Sequence, residues 1–472
     1  MKIILDGKIN RTYVQSLCTM FFHGEKFPEN EEFSEKTLYV KTKDKEDGIF
    51  CEIILKVNEK EEKSSSFVPY SENITYEKLS KRAVGKALYE AGSKITGKVL
   101  PWGILSGIRP SKVAIDLMEK MPQDVAMDTL KNEYLVSKEK LELIKTVSVN
   151  ERNITSLCEQ DTCSVYISIP FCPSRCAYCS FISYASPKLF SLIPEYLEKL
   201  FCDINKTFND IKEKGLRVLS IYIGGGTPTI LSEEQLEKLL LKIFDNIDTN
   251  SLMEFTLEAG RPDTITEDKL KIAKKYGITR ISVNPQTLND KVLENIGRKH
   301  TVKEFLEAFE KVKKSGIEHI NTDLIVGLTG DDFESFKNTI DKIISLSPDN
   351  ITIHSFCVKK SAQILQNNSQ IYDLEEKYAS DSVNYAYSEL IKNGYEPYYM
   401  YRQKNTVSDL ENVGYAKKGA YGIYNVFMMA DSHTVYGIGA GATTKIITKN
   451  GDKTEINRIF SPKYPYEYCR EK

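Results

Sequence analysis

From about residue 164 the chain alternates short β-branched runs with amphipathic helical stretches, and few folds accept that rhythm. The runs fall at 164–169, 217–223, 252–258, 278–283, 318–325 and 350–355. Helical periodicity occupies 188–214, 233–246, 267–276, 302–315 and 332–346 between them. A strand that returns parallel to its predecessor needs a crossover of a dozen residues or more, which a helix supplies. Two capping boxes, Ser232 with Gln235 and Thr301 with Glu304, mark helix starts within this stretch. Six units are too few for a full eightfold barrel. The expectation is an α/β fold built on an open, partial (β/α)6 barrel, with its site at the carboxyl ends of the strands.

Two regions with different rhythms flank this core. Residues 1–155 carry strand patterns at 2–6, 37–42 and 49–57 and a helical pattern at 77–93, and are expected to form an N-terminal α+β domain. The barrel is assigned to 160–370, and 371–472 to a C-terminal α+β domain on the substrate side, with a helix at 375–393 and a second helix not located. The single Trp, Trp102, lies in a Pro- and Gly-rich stretch that reads as a structural elbow. Gly437-Ile-Gly-Ala-Gly-Ala442 resembles a dinucleotide fingerprint, but the following Thr443-Thr-Lys-Ile-Ile447 is strand-like, so a glycine turn is expected instead. The charge runs Lys43–Asp47 and Glu59–Lys63 read as solvated loops or faces.

Composition narrows the function classes. With 64 basic and 66 acidic residues the charge is nearly balanced, which argues against a dedicated nucleic-acid binder. No apolar run reaches the ~20 residues of a membrane span. The start, Met1-Lys-Ile-Ile-Leu-Asp6, is charged too early for a signal peptide. Free thiols in a chain of this kind suit a reducing cytoplasm.

The chemistry concentrates at Cys172, Cys176 and Cys179, directly after the run at 164–169. Cys pairs two residues apart also serve zinc, but a structural zinc site closes with a fourth ligand, usually from a second short-spaced pair. The five His are scattered singly, and Cys158 and Cys163 are poorly spaced for a zinc knuckle. A cubane iron–sulfur cluster takes one Cys per iron corner, so three thiolates leave one corner open. Cys18, Cys51, Cys202, Cys357 and Cys469 read as buried unliganded thiols. Downstream, Gly224-Gly225-Gly226-Thr227-Pro228 joins a strand run to a helix. A P-loop would end in Lys-Ser/Thr, which is missing. Three successive glycines bring bare backbone close to a ligand, whose ammonium group the carbonyls could accept.

Tyr166-Ile-Ser-Ile-Pro-Phe-Cys172, Cys176-Ala-Tyr-Cys179 and Gly224-Gly-Gly-Thr-Pro228 together resemble the radical S-adenosylmethionine enzymes. Within them the similarity is to the oxygen-independent coproporphyrinogen III oxidases, over about Tyr166 to Thr444. The resemblance implies a [4Fe–4S] cluster on Cys172, Cys176 and Cys179, with S-adenosylmethionine chelating the open iron and yielding a 5′-deoxyadenosyl radical on reduction. It also implies cofactor contacts from Tyr166, Tyr178, Gly225, Gly226, Thr227, Glu258, Gln286, Arg298 and Asp323. Carboxylates suit ribose hydroxyls, and Arg or Gln suits a carboxylate or an adenine edge.

Departures from the family pattern place the chain further. Phe181 stands where the oxidases carry a fourth Cys, and no Tyr-Trp follows in the C-terminal part as it does in the heme-chaperone relatives. Leu100-Pro-Trp-Gly-Ile-Leu-Ser-Gly-Ile-Arg-Pro110, Met400-Tyr-Arg-Gln-Lys-Asn405 and Glu411-Asn-Val-Gly-Tyr415 resemble the HemZ-type coproporphyrinogen dehydrogenase group. That resemblance implies oxidative decarboxylation of coproporphyrinogen III to protoporphyrinogen IX in heme biosynthesis, with a low-potential donor such as flavodoxin or ferredoxin. A heme-binding trafficking protein and a radical methyltransferase acting on heme share these motifs. Arg261, Lys359, Lys360, Arg402 and Lys404 are candidate partners for the carboxylates of a tetrapyrrole.

Overall fold

The structure is a computed structural model, and it describes residues 1–28, 34–72, 74–179, 183–357, 376–403, 406, 409–450 and 453–471. The chain divides into two compact units: Met1–Ser148 with Tyr401–Glu411, and Val149–Met400 with Asn412–Lys472.

The first unit holds a four-stranded sheet in the order β1 (Lys2–Asp6), β2 (Lys36–Asp44), β3 (Gly48–Val57), β4 (Lys60–Pro69). β1 runs parallel to β2, and the other pairs are antiparallel. Alternation puts Ile49, Cys51, Ile53 and Leu55 of β3 on one buried face. The helices Arg11–Phe21 and Tyr76–Thr96 contribute Val14, Leu17, Ala83 and Ala87 to the same core. The run Glu59–Lys63 passes through the turn before β4 and onto the solvated face of that strand, within the loop-or-face reading. Its polar residues face outward, and left-handed Asn58 makes a tight hairpin that fixes the register from the Val57–Lys60 pair. Trp102 is fully buried within a turn, and its indole N–H donates to Glu411 Oε2 at 2.8 Å. Lys140 forms a buried ion pair with the other oxygen of the same carboxylate.

The second sheet carries the alternation read from the sequence. Its six parallel strands are β5 (Thr162–Ile169), β6 (Arg217–Gly225), β7 (Glu254–Glu258), β8 (Arg280–Ser282), β9 (His319–Val326) and β10 (Asn350–Ser355), adjacent in chain order. Amphipathic helices, including Ile193–Glu213, Glu233–Phe244, Val302–Lys314 and Phe333–Leu346, connect them. Both capping boxes form as expected. The strands after residue 371 join this same sheet. β12 (Glu411–Lys417) runs antiparallel beside β10, with β11 (Tyr395–Arg402) beyond it. β13 (Thr434–Ile438) runs parallel beside β5, followed by β14 (Thr443–Asn450) and β15 (Lys453–Phe460). The glycine-rich segment from Gly437 therefore ends one strand and turns into another, without a helix.

Candidate functional site

The cysteine loop leaves the carboxyl end of β5 and is pinned by its backbone. The Cys172 N–H donates to the Tyr184 carbonyl (3.0 Å), that of Ala177 to Ile296 (3.0 Å) and that of Cys179 to Cys176 (3.1 Å). The glycine turn after β6 is bonded to the same loop: the N–H groups of Gly226 and Thr227 donate to the carbonyls of Ile169 and Phe171 at 2.8 and 2.7 Å. A Cβ on Gly226 would lie 2.4 Å from the Phe171 oxygen, and Gly225 has φ +111°, so glycine is required at both. The Thr227 hydroxyl lies 3.4 Å from Cys172 Sγ. Burial raises the Cys172 thiol above its ordinary value, Thr227 opposes this, and neighbouring Cys179 and Cys176 add to it.

Among the described residues, no three His, Cys, Asp or Glu side chains are arranged to hold a single metal ion. A cubane takes one thiolate per iron corner, so its ligands need not converge on one point. Three thiols on one pinned loop beside a bare-backbone turn fit that group. Two guanidiniums strengthen the fit, because positive charge favours thiolates. Arg261, 3% exposed, places Nη1 3.8 Å from Cys176 Sγ and donates through Nη2 to Ser174 Oγ at 2.9 Å. Arg298 donates to the Gly260 carbonyl (2.8 Å) and to the Tyr178 hydroxyl (3.2 Å). Between these arginines in charge, though linked to neither by a hydrogen bond, is buried His300. Both its ring nitrogens lack partners among the described residues, and burial, then Arg298 and Arg261, push its pKa down to about 4.

A second cluster forms at the ends of β7 and β9. Glu258 accepts a short hydrogen bond from the Tyr222 hydroxyl. Burial and nearby Asp323 push Glu258 up to about 7, against the donors Tyr222 and the Gly225 N–H. An ideal Cβ on Gly224 would sit 2.7 Å from Glu258 Oε2, so this glycine makes room for the carboxylate. Asp323 accepts from Asn284 Nδ2 and Asn321 Nδ2, both at 2.9 Å. Gln286 is buried and left-handed (φ +71°), and its backbone bridges to β9 through the Asp323 carbonyl (3.1 Å) and the Ile325 N–H (2.9 Å).

Two residues that sequence reasoning passed over complete this cluster. Tyr222 is the register partner of Tyr166 across β5 and β6, so both rings lie on the same face of the sheet. Tyr424, on the helix Ile423–Ala430, stacks on Tyr222 with centroids 4.6 Å apart at 22° and on Tyr166 at 6.4 Å and 19°. Tyr222 was findable from its place two residues before the glycine turn, whereas nothing in the sequence marks Tyr424.

The proposed carboxylate partners fare differently. Arg261 faces the cysteine loop rather than open solvent. Arg402 is 3% exposed and already bonded to the Leu105 carbonyl and the Asp409 carboxylate, so it is not an open clamp. Lys359, Lys360, Lys404 and Phe181 lie outside the described residues. Among the other cysteines, Cys18 and Cys51 are buried as expected. Cys202 is exposed and Cys357 and Cys469 are half-buried, so the buried-thiol reading fails for these three.

The fold and this site define a radical S-adenosylmethionine protein, and residues 166–343 match the family model described as the Radical SAM superfamily. Proteins of this superfamily use a [4Fe–4S] cluster and S-adenosylmethionine. The chain is 37% identical over 379 residues to the oxygen-independent coproporphyrinogen-III oxidase-like protein HemZ of Bacillus subtilis (strain 168), covering 79% of this chain and 75% of the relative. It is 33% identical over 282 residues to the heme chaperone HemW of Lactococcus lactis subsp. lactis (strain IL1403), covering 59% and 69%. Coproporphyrinogen III oxidase (HemN) from Escherichia coli shares the fold, with a TM-score of 0.52 at 20% identity over 68% of this chain and 71% of that one. The chain belongs to the oxygen-independent coproporphyrinogen-III oxidase-like family of radical S-adenosylmethionine proteins.

Proposed function

We propose that this protein converts coproporphyrinogen III to protoporphyrinogen IX without oxygen, by oxidative decarboxylation of two propionates. The supporting observation is the bonding of the cysteine loop to the glycine turn, in a chain 37% identical to a coproporphyrinogen-oxidase-like relative. Cys172, Cys176 and Cys179 would hold the cluster and leave its fourth iron to the cofactor. Bound together, cluster and cofactor supply one-electron cleavage of S-adenosylmethionine. Gly225, Gly226 and Thr227 would present backbone to the methionine part. Glu258 and Asp323 would take hydroxyl or ammonium groups, while Arg298, Gln286, Tyr166 and Tyr178 complete the walls. A low-potential donor such as flavodoxin or ferredoxin would supply the electron.

The test is an anaerobic assay of reconstituted protein with coproporphyrinogen III and, separately, with heme. The expected result is protoporphyrinogen IX with loss of two carbon dioxide molecules per product, absent in Cys176→Ala. A second reading, heme handling, draws on the relative named a heme chaperone. Stoichiometric heme binding with no turnover of coproporphyrinogen III would overturn the first reading in favour of the second.

A further inference from the structure

Tyr424 presents an unusual combination. It is 5% exposed, and its hydroxyl has no hydrogen-bond partner among the described residues. A buried hydroxyl left unpaired costs about 1–3 kcal/mol, and phenylalanine would fill the same space without that cost. The helix that carries Tyr424 is nonetheless held firmly at its start. The N–H groups of Ile423 and Tyr424 donate to the Glu254 carboxylate at 3.0 and 3.4 Å. Glu254 is paired with Arg280, whose Nη2 reaches the carbonyls of Ala420 and Tyr421 at 2.9 and 3.1 Å. These bonds hold the backbone at the helix start, and the ring itself is packed against Tyr222 and Tyr166.

The ring lies against Tyr222, the residue that donates to Glu258, and its hydroxyl is within electrostatic reach of Tyr166, Glu258 and Glu254. Burial and those neighbours keep the phenol protonated, hence a donor. We propose that Tyr424 is a positioning residue of the cofactor site, buttressing Tyr222 and giving Glu258 a second phenolic donor once that carboxylate is ionised and engaged with S-adenosylmethionine. The inference rests on the cofactor site and not on which tetrapyrrole is the substrate.

Phe at this position separates ring from hydroxyl. Wild type, Tyr424→Phe and Tyr424→Leu are reconstituted, and cluster content is checked by iron analysis and absorption. Thermal stability without cofactor and S-adenosylmethionine affinity by calorimetry are then measured from pH 6 to 9. The groups facing Glu258 are Tyr166, Tyr222, Asp323 and Tyr424, of which Asp323 opposes its ionisation, and His354 Nε2 lies 3.8 Å from the Asp323 carboxylate. Affinity should rise with pH as Glu258 ionises. Tyr424→Phe should be as stable as wild type or more so without cofactor, yet bind about three- to tenfold more weakly, the effect of one hydrogen bond. Its binding midpoint should move to higher pH, because a donor to the charged form is gone. Tyr424→Leu should weaken binding further through Tyr222. Wild-type affinity and midpoint in Tyr424→Phe, or loss of its cofactor-free stability, would overturn the proposal.

Discussion

Gly226 leaves no room for even a methyl group, because the obstacle is the Phe171 carbonyl rather than a flexible side chain. Relief of that clash must move the backbone that carries Cys172. Gly226→Ala should therefore lower stability by about 1–3 kcal/mol and reduce iron per chain after anaerobic reconstitution. Calorimetry and iron analysis read both effects, and full iron loading would show that the turn and the loop are not coupled. The triplet and the glycine turn stood out in the sequence because residue type and spacing mark them, whereas Glu258 was singled out only through the family resemblance. Arg261 was singled out for the wrong contact. A charge in sequence carries no record of burial, and this one turns toward the cysteine loop.

At the scale of elements, the six parallel strands were legible within a few residues, since each is a short β-branched run set apart from the next by a stretch of helical periodicity. β4 was not, because as the sheet's last strand it buries only Ser64 and Val68. The helix Arg11–Phe21 also escaped notice, and the second C-terminal helix was expected without a position, which Ile423–Ala430 supplies. The latter has only two turns, too few to establish a period, and relies on Glu254 far away in sequence. That dependence gives a prediction. Arg280→Met leaves Glu254 buried without its ionic partner, and should cost about 3–5 kcal/mol in urea unfolding. Adding Glu254→Gln should recover part of the loss, since the stranded charge is then removed. Equal stability of Arg280→Met and wild type would mean that the pair contributes nothing to the helix.

Over the whole molecule, Glu258 makes stability depend on pH in an unusual direction. The cofactor-free folded protein holds its proton up to about pH 7, whereas the unfolded chain releases it near pH 4.3. Stability from this group is thus greatest below about pH 4 and declines as pH rises toward 7, by about 2 kcal/mol because the side chain is only half-buried and partly screened. Glu258→Gln should abolish that decline, giving a higher Tm than wild type at pH 8 and no advantage at pH 4.5. Parallel pH profiles of the two proteins would place the carboxylate's ionisation elsewhere.

The order of strands in the second sheet has a consequence for how the molecule is made. β5 lacks its outer neighbour until Thr434–Ile438 emerges, and β10 lacks its own until Glu411–Lys417 does. During synthesis the six parallel strands are complete while both flanks still offer unpaired backbone, an invitation to pair with another nascent chain. Residues from Glu411 onward close both flanks only after the six strands have emerged, so a chain released before that point carries both edges bare.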